Sequence, residues 1–395
     1  MTTLDVNRLR SETPGTRQVN HLNNAGAALM PDPVCRTIVK HLELESQIGG
    51  YEAAEERRGE IEAVYQTLGQ LIGANTENIA LTENATASFT QALSAVSFKP
   101  GDVIVTTRND YVSNQIMYLS LVSRFGIEIV RAPDDPSGGV DVSAIEELVH
   151  RRRPKLVAVT HIPTNSGLVQ KVADIGTICR QRKTLYLVDA CQSVGQMPID
   201  VKQIGCDFLS ATSRKFLRGP RGIGFLYISD WALDSGLVPL FPDLHGAHWI
   251  EEDLFQPLPD ARRFENWEFP FALVLGLGRA TEYALDLGLE AVRERAWGLA
   301  ARARDQLAEI KSVSVLDRGA ERSAIVTIAT AGHDPAKLTS SLRAQGINTS
   351  LSTRDYAVLD FDDKGVEAAV RVSPHYYNTE EEIDAFVAGL SGLLL

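Results

Sequence analysis

The sequence predicts an α/β fold in which a large domain built on a mostly parallel sheet is followed by a smaller α+β domain. Three observations carry this expectation. Between about residues 75 and 230, short apolar runs alternate with amphipathic stretches, the rhythm of βαβ units. The runs are continuously apolar rather than alternating, as strands covered on both faces are. After about residue 275 the rhythm changes to one long helical stretch and then short strands interleaved with helices.

Taken in order, the strands predicted for the large domain lie at 103–106, 128–130, 156–160, 185–188, 208–210 and 223–227. Helical patterns at 142–149 and 174–182 fall between them. The run Leu81-Thr82-Glu83-Asn84-Ala85-Thr86 opens a helix whose Phe89, Leu93 and Val96 recur at i, i+4 and i+7. A helical stretch over 272–310 leads to strands at 313–316 and 325–329, a helix at 336–344, strands near 347–351 and at 369–373, and a closing helix. Thr379 with Glu382 three residues on reads as that helix's capping box. The division expected is 18–275 for the large domain, with 1–17 and 276–395 forming the small one.

Composition narrows the function class. With 44% hydrophobic and 23% charged residues among 395, the chain has the make-up of a globular protein rather than a disordered one. A formal charge of −12 argues against nucleic acid or an anionic membrane as the main partner. No apolar run approaches the roughly 18 residues of a membrane span, and the first 15 residues hold no apolar signal-peptide core. The four cysteines form no CxxC pair and no histidine has metal-ligand spacing, so the expectation is a reduced, cytoplasmic, metal-free protein.

Ligands in open α/β sheets bind beyond the C-terminal ends of the strands. There, LYLVDACQSVGQ places Asp189 and Gln192, and FLSATSRKFLRGPRGIGFLY places Thr212, Arg214 and Lys215. Upstream, the amides at Ala85 and Thr86 open a helix and form a cradle for phosphate. A lysine for a Schiff base, an acid to keep a pyridine nitrogen protonated and a helix start for a phosphate are what pyridoxal phosphate requires. Singly, each residue also has a structural reading: Asp189 or Thr86 as a helix cap, Tyr111 as packing, Arg371 as a surface ion pair.

Together with LNNAGAALMP, LTENATASFTQAL, THIPTNSGLVQ, ARRFENWEF and VRVSPHYYNTEEEID, these segments resemble the class V aminotransferase-like enzymes of fold type I. That group includes cysteine desulfurases, isopenicillin N epimerases and C–S lyases, and the motifs run in family order through nearly the whole chain. The resemblance implies a seven-stranded large-domain sheet, pyridoxal 5'-phosphate as cofactor, an amino-acid substrate and a homodimer. It implies Lys215 as the cofactor-bonding lysine and proton carrier, and Asp189 as the partner of the ring nitrogen. Gln192 and Asn165 fall near the phenolic oxygen, and Tyr111 takes the place of a stacking histidine. Ala85, Thr86 and Thr212 are implied as phosphate ligands, Arg371 as the clamp on the substrate carboxylate, and Asn24 and Gly26 as the lining of the substrate side.

Three departures from the family pattern bear on function. Arg214 stands before the lysine where many relatives have histidine, and a fixed cation there serves the phosphate or an acidic substrate. The RFE-x-Gly-Thr pattern, whose threonine reaches a neighbouring subunit's phosphate in many relatives, reads Arg263-Phe264-Glu265-Asn266-Trp267-Glu268. The loop TSLSTRDYAVLDF, where desulfurases carry a nucleophilic cysteine, has none. The expectation is therefore a lyase that breaks a C–S bond by β-elimination on a cysteine-derived amino acid. The alternatives are epimerisation or transamination, which share the deprotonation at Cα, and a non-catalytic protein of the same fold. Arg218, Arg221, Arg262 and Arg354 are candidates for holding a second substrate carboxylate, or are solvated surface residues.

Overall fold

The structure, a computed structural model, describes residues 4–395. Its centre is a seven-stranded sheet. In chain order the strands are β1 (Ile79–Thr82), β2 (Val103–Thr107), β3 (Glu128–Ala132), β4 (Leu156–Thr160), β5 (Leu185–Asp189), β6 (Phe208–Thr212) and β7 (Gly224–Ile228), and in space they run β1-β7-β6-β5-β4-β2-β3. The pairs from β3 through β2, β4 and β5 to β6 are parallel, whereas β7 is antiparallel to both β6 and β1. All strands but β3 are buried along their whole length between two apolar layers, which accounts for their uninterrupted apolar runs.

Two sequence expectations shift here. Leu81 and Thr82, expected to open a helix, instead end strand β1, and the helix begins at Ala85; a four-residue strand carries no periodicity of its own. Strands β5 and β6 also extend further than predicted, since Thr160 pairs with Asp189 and Asp189 with Ser210. Asp189 and Thr212 thus end their strands rather than follow them. This fixes their backbones in the ladder.

The C-terminal portion has its own four-stranded antiparallel sheet, in the order β10 (Val313–Val315), β11 (Val326–Thr330), β13 (Ala368–Val372) and β12 (Ser350–Thr353), with its own core of Leu299, Leu307, Val326, Ile328, Leu342, Val370, Phe386 and neighbours. The helical stretch predicted over 272–310 is two helices, Phe271–Leu287 and Leu289–Ala308. They are separated by Gly288 at φ +80, a conformation that ends one helix and admits the next. The strand expected near 347–351 likewise divides: Ile347–Asn348 pairs in parallel with Asn20–His21, and Ser350–Thr353 joins the antiparallel sheet. Thr379 and Glu382 make both hydrogen bonds of the predicted capping box. A hairpin of β8 (Ala247–Glu251) and β9 (Leu254–Pro257) stands clear of both cores. No helix among the described residues is long and apolar enough to cross a membrane.

Candidate active site

Sheet topology delivers the site. The parallel strands β2, β4, β5 and β6 end at one edge. Because β7 runs the other way, it begins at that edge, and β1, antiparallel to β7, ends there with Thr82 opposite Gly224. The segments 83–86, 108–114, 161–164, 190–192, 213–215 and 221–222 therefore meet around one cavity of about 230 Å³. That is room for a ring-sized ligand rather than a few waters. Of the residues predicted for the site, Ala85, Thr86, Tyr111, Asp189, Gln192, Thr212, Arg214 and Lys215 line it.

Asp189 is 4% exposed and accepts hydrogen bonds from the Cys191 amide (2.9 Å) and the Asn114 side chain (3.1 Å). Burial pushes its pKa up, opposed by those donors and by the nearby Lys215 ammonium. A buried carboxylate so placed needs a further cation or N–H donor to stay ionised. Lys215, also buried, lies with its Nζ 5.9 Å from the centre of the Tyr111 ring. The turn that presents it is packed from below by Gly195. This residue has φ +88, and a Cβ added there would lie 2.3 Å from the Leu217 backbone nitrogen. Arg218 clamps the same turn from the far side. Its guanidinium donates to the Leu29 carbonyl, the Thr13 hydroxyl and the Tyr376 hydroxyl, and stacks on Tyr376 and Tyr377. Gln192 donates to the Ala25 carbonyl and the Thr164 hydroxyl, and leaves its own buried carbonyl oxygen without a partner.

At the other end of the cavity begins the helix Ala85–Ser94. Its N-cap is Asn84, whose side chain accepts from the Ala87 amide, so Thr86 is not the cap. The Ala85 and Thr86 amides have no acceptor among the described residues and stand at the positive end of the helix. Strand β7 passes close by, since a Cβ on Gly224 would lie 2.9 Å from the Asn84 carbonyl carbon. This brings Thr212, Arg214, Arg221 and Gly222 beside the helix start.

Arg371, Asn24, Gly26 and Asn165 form a second group just outside the cavity lining. Arg371, on β13, donates to the Thr164 carbonyl and hydroxyl and to the Asn23 side chain. Its Nε is buried and unpartnered, and burial beside Arg214 pushes its pKa down to about 10. It is a guanidinium short of an anion. Gly26 accepts from Arg214, and the Ala28 amide donates to the Arg214 carbonyl, which lays the N-terminal loop over the Lys215 turn. Asn24 is fully buried, donating to Ser373 and accepting from Tyr377, and Asn165 donates to Asp360, which Lys364 also contacts. Neither amide side chain faces the cavity.

Sequence reading did not single out Asn114, Asp110, Thr160 or Thr164. Asp110 is a hub that accepts from Thr106, Thr160, Tyr111, Asn114 and Gln115, and Asn114 carries that network to Asp189. The one available signal was Asn114 lying three residues after Tyr111 on the helix Val112–Phe125, which puts it one turn deeper on the same face. Of the four arginines considered for a second carboxylate, Arg218 is 1% exposed and engaged as above, Arg262 pairs with Glu62 and Arg354 with Asp362. Arg221 alone lines the cavity. The histidines stay structural: His375 is buried against the Phe216 carbonyl, and His245 pairs with Glu265. No cluster of potential metal ligands occurs among the described residues.

The residues present fit pyridoxal phosphate. Lys215 reaches the cavity, Asp189 is a buried acid in want of a cationic partner, Tyr111 offers a ring face, and two free amides wait at a helix start beside two arginines. Comparison with known proteins agrees. The chain is 29% identical over 402 residues to a probable cysteine desulfurase of Mycolicibacterium paratuberculosis, matching 97% of this chain and 57% of that longer protein. It is 26% identical over 395 residues to a probable cysteine desulfurase of Pyrococcus abyssi, covering 98% and 97% of the two chains. The apo structure of a cysteine desulfurase from Thermococcus onnurineus NA1 superposes with a TM-score of 0.91 at 25% identity, over 100% of this chain and 99% of that one. Residues 20–386 match the family described as Aminotransferase class-V, so the chain belongs to the class V aminotransferase family of pyridoxal-phosphate enzymes.

Proposed function

We propose that the protein is a lyase that cleaves the C–S bond of a cysteine-derived amino acid, an S-conjugate or a sulfoxide by β-elimination. The observation that carries this reading is where the thiols are. The strand and turn at 350–356 hold Ser350, Ser352 and Thr353 but no cysteine. Cys179 and Cys206 are core residues whose thiols burial pushes far up, and Cys35 is exposed on the helix Asp32–Ile48. Cys191 lines the cavity, but burial pushes its thiol up as well, which lowers the thiolate fraction needed to attack sulfur. A desulfurase route through a protein persulfide lacks its nucleophile, and elimination needs none.

When bound, pyridoxal phosphate supplies the electron sink that makes the substrate α-hydrogen acidic. In our reading Arg371 would bind the substrate carboxylate through its unpartnered Nε edge, and Tyr111, on the cavity wall, would offer its ring for the cofactor to pack on. Asp189, held by Asn114 and the Cys191 amide, would be the acid that keeps a bound ring nitrogen protonated. Lys215 would take the proton from Cα; the Cβ–S bond would then break with its electron pair leaving on sulfur, as a thiolate from an S-conjugate, a persulfide anion from cystine or a sulfenate from a sulfoxide, which is then protonated. The released unsaturated amine tautomerises and takes up one water to give pyruvate and ammonia. The two separate sheets and cores support two domains, proposed as 18–275 against 1–17 with 276–395, although Leu277, Ala280 and Ala284 pack on the first core and Leu22 on the second. The exposed Phe241, Leu244, Trp249 and Phe255 on and beside the β8–β9 hairpin support a homodimer.

The test supplies cystine, S-substituted cysteines and their sulfoxides to the purified holoenzyme, and follows pyruvate and the released sulfur species together, with Lys215→Ala as control. Pyruvate and the matching sulfur product in equal amounts (thiol from an S-substituted cysteine, persulfide from cystine, sulfenic acid from a sulfoxide), lost in the variant, support the reading. Exchange of the α-hydrogen for deuterium without pyruvate overturns it in favour of epimerisation or transamination.

A further inference from the structure

Arg221 is the one arginine of the cavity with no protein partner. It follows the Gly219-Pro220 turn and precedes Gly222, at the end of the cavity where the helix Ala85–Ser94 begins. No salt bridge and no side-chain hydrogen bond holds it among the described residues. Its neighbour is Arg214, whose charged form burial disfavours first and the nearby Arg221 cation disfavours further. Like charges are brought together at a cavity wall at a cost that an anion removes. The anion has a ready seat there: the free amides of Ala85 and Thr86 and the Thr212 side chain line the same end. The only carboxylate on that wall, Glu83, is met by the Asn266 side chain rather than by Arg221.

The family gives this anion a chemical identity, the cofactor's phosphate, and the chain gives a reason to need a new ligand for it. Where relatives resembling this chain bring a threonine hydroxyl from a neighbouring subunit, position 268 here is glutamate, an acid that cannot donate to a dianion. We propose that Arg221, acting with Arg214 and the start of the helix Ala85–Ser94, is a phosphate-holding residue that makes the cofactor's phosphate site complete within one chain. Two guanidinium groups balance the charge of the phosphate, and the planar fork of Arg221 is suited to two of its oxygens. This inference rests on the cofactor and stands whether or not the reaction is a C–S cleavage.

The experiment strips the enzyme of cofactor and titrates the apo-protein with pyridoxal phosphate and, separately, with pyridoxal, which lacks the phosphate. Binding is followed by the visible absorbance and by quenching of tryptophan fluorescence. Arg221→Ala is expected to weaken pyridoxal phosphate about tenfold to a hundredfold, the range for losing one charge-assisted contact, and to leave pyridoxal within about twofold. Arg221→Lys recovers part of the loss. Because the side chain has no partner in the protein, the apo variant is expected to melt with the wild type. Three results would overturn the proposal: unchanged affinity for pyridoxal phosphate, equal loss for both ligands, or a raised KM confined to substrates with a second anionic group. A wild-type protein that binds neither ligand would instead overturn the cofactor assignment.

Discussion

Arg218 is a buried cation without a carboxylate partner, and replacing it measures how firmly the Lys215 turn is tied to the rest of the molecule. It is 1% exposed and sits at φ +62, a left-handed conformation that costs a non-glycine residue about 1–2 kcal/mol. The side chain donates to Leu29 O at 2.8 Å, to Thr13 Oγ1 at 2.7 Å and to the Tyr376 hydroxyl, and lies 5.0 and 4.4 Å from the rings of Tyr376 and Tyr377. Each charge-assisted bond contributes about 1.5–3 kcal/mol, and each desolvated aromatic face about 1–2. Against this stands the several kcal/mol spent to bury the charge. The net loss expected for Arg218→Ala is about 3 kcal/mol, which lowers Tm by about 4 °C for a chain of 395 residues. Arg218→Gly loses the same contacts but recovers about 1 kcal/mol of backbone strain, so it should melt above the alanine variant. Thermal unfolding followed by circular dichroism reads both. An alanine variant within about 1 °C of wild type, or a glycine variant less stable than alanine, would refute the reasoning.

The stability should depend on pH through two buried histidines. His375 and His161 have pKa values pushed down by burial to about 3 and about 4, so between there and 6.5 the unfolded chain binds the extra protons. Their contribution is present above pH 6.5 and is lost as pH falls, each by about 1.4 kcal/mol per unit. Asp207, raised by burial to about 6, works the other way between 3.8 and 6 and offsets one of them. Because buried Asp189 and Asp134 are raised too, the histidine effect is read by difference: in denaturant titrations from about pH 4 to 6, His375→Gln should show a less positive slope than the wild type. Asp189→Asn should keep pyridoxal phosphate bound but lower kcat by about 100-fold or more, because the buried charge facing the ring nitrogen is gone; steady-state kinetics with the visible band as an occupancy check reads this. Sedimentation should give the mass of two chains, and the double variant Trp249→Asp, Phe255→Asp that of one.

Much of this was legible in the sequence, for a physical reason. Strands buried on both faces must be apolar throughout, so β2, β4, β5 and β6 announce themselves, and the residues beyond their ends are the site by topology alone. Strand β1 escaped because four residues leave no period to read, and the break at Gly288 because one left-handed glycine inside a helical pattern looks like a tolerated one. At the site, Asp189, Lys215 and the helix start carry their chemistry in their residue type. Asn114 and Asp110 do not. They act through hydrogen bonds that link β2, β4 and β5 across the sheet, and only folding brings those segments together. The same holds for the arginines: four looked alike as text, and their partners in space leave one facing the cavity.

The central claim, that carbon–sulfur cleavage proceeds by elimination without a protein persulfide, is tested most directly by the carbon product of a single turnover on a cysteine-type substrate. Holoenzyme mixed with less than one equivalent of substrate, without any added thiol, should convert it to pyruvate and ammonia in equal amounts. No alanine should form, and no persulfide should appear on Cys35, Cys179, Cys191 or Cys206 by mass spectrometry of the intact chain. Alanine in place of pyruvate, with one added sulfur atom on a cysteine, would contradict the account.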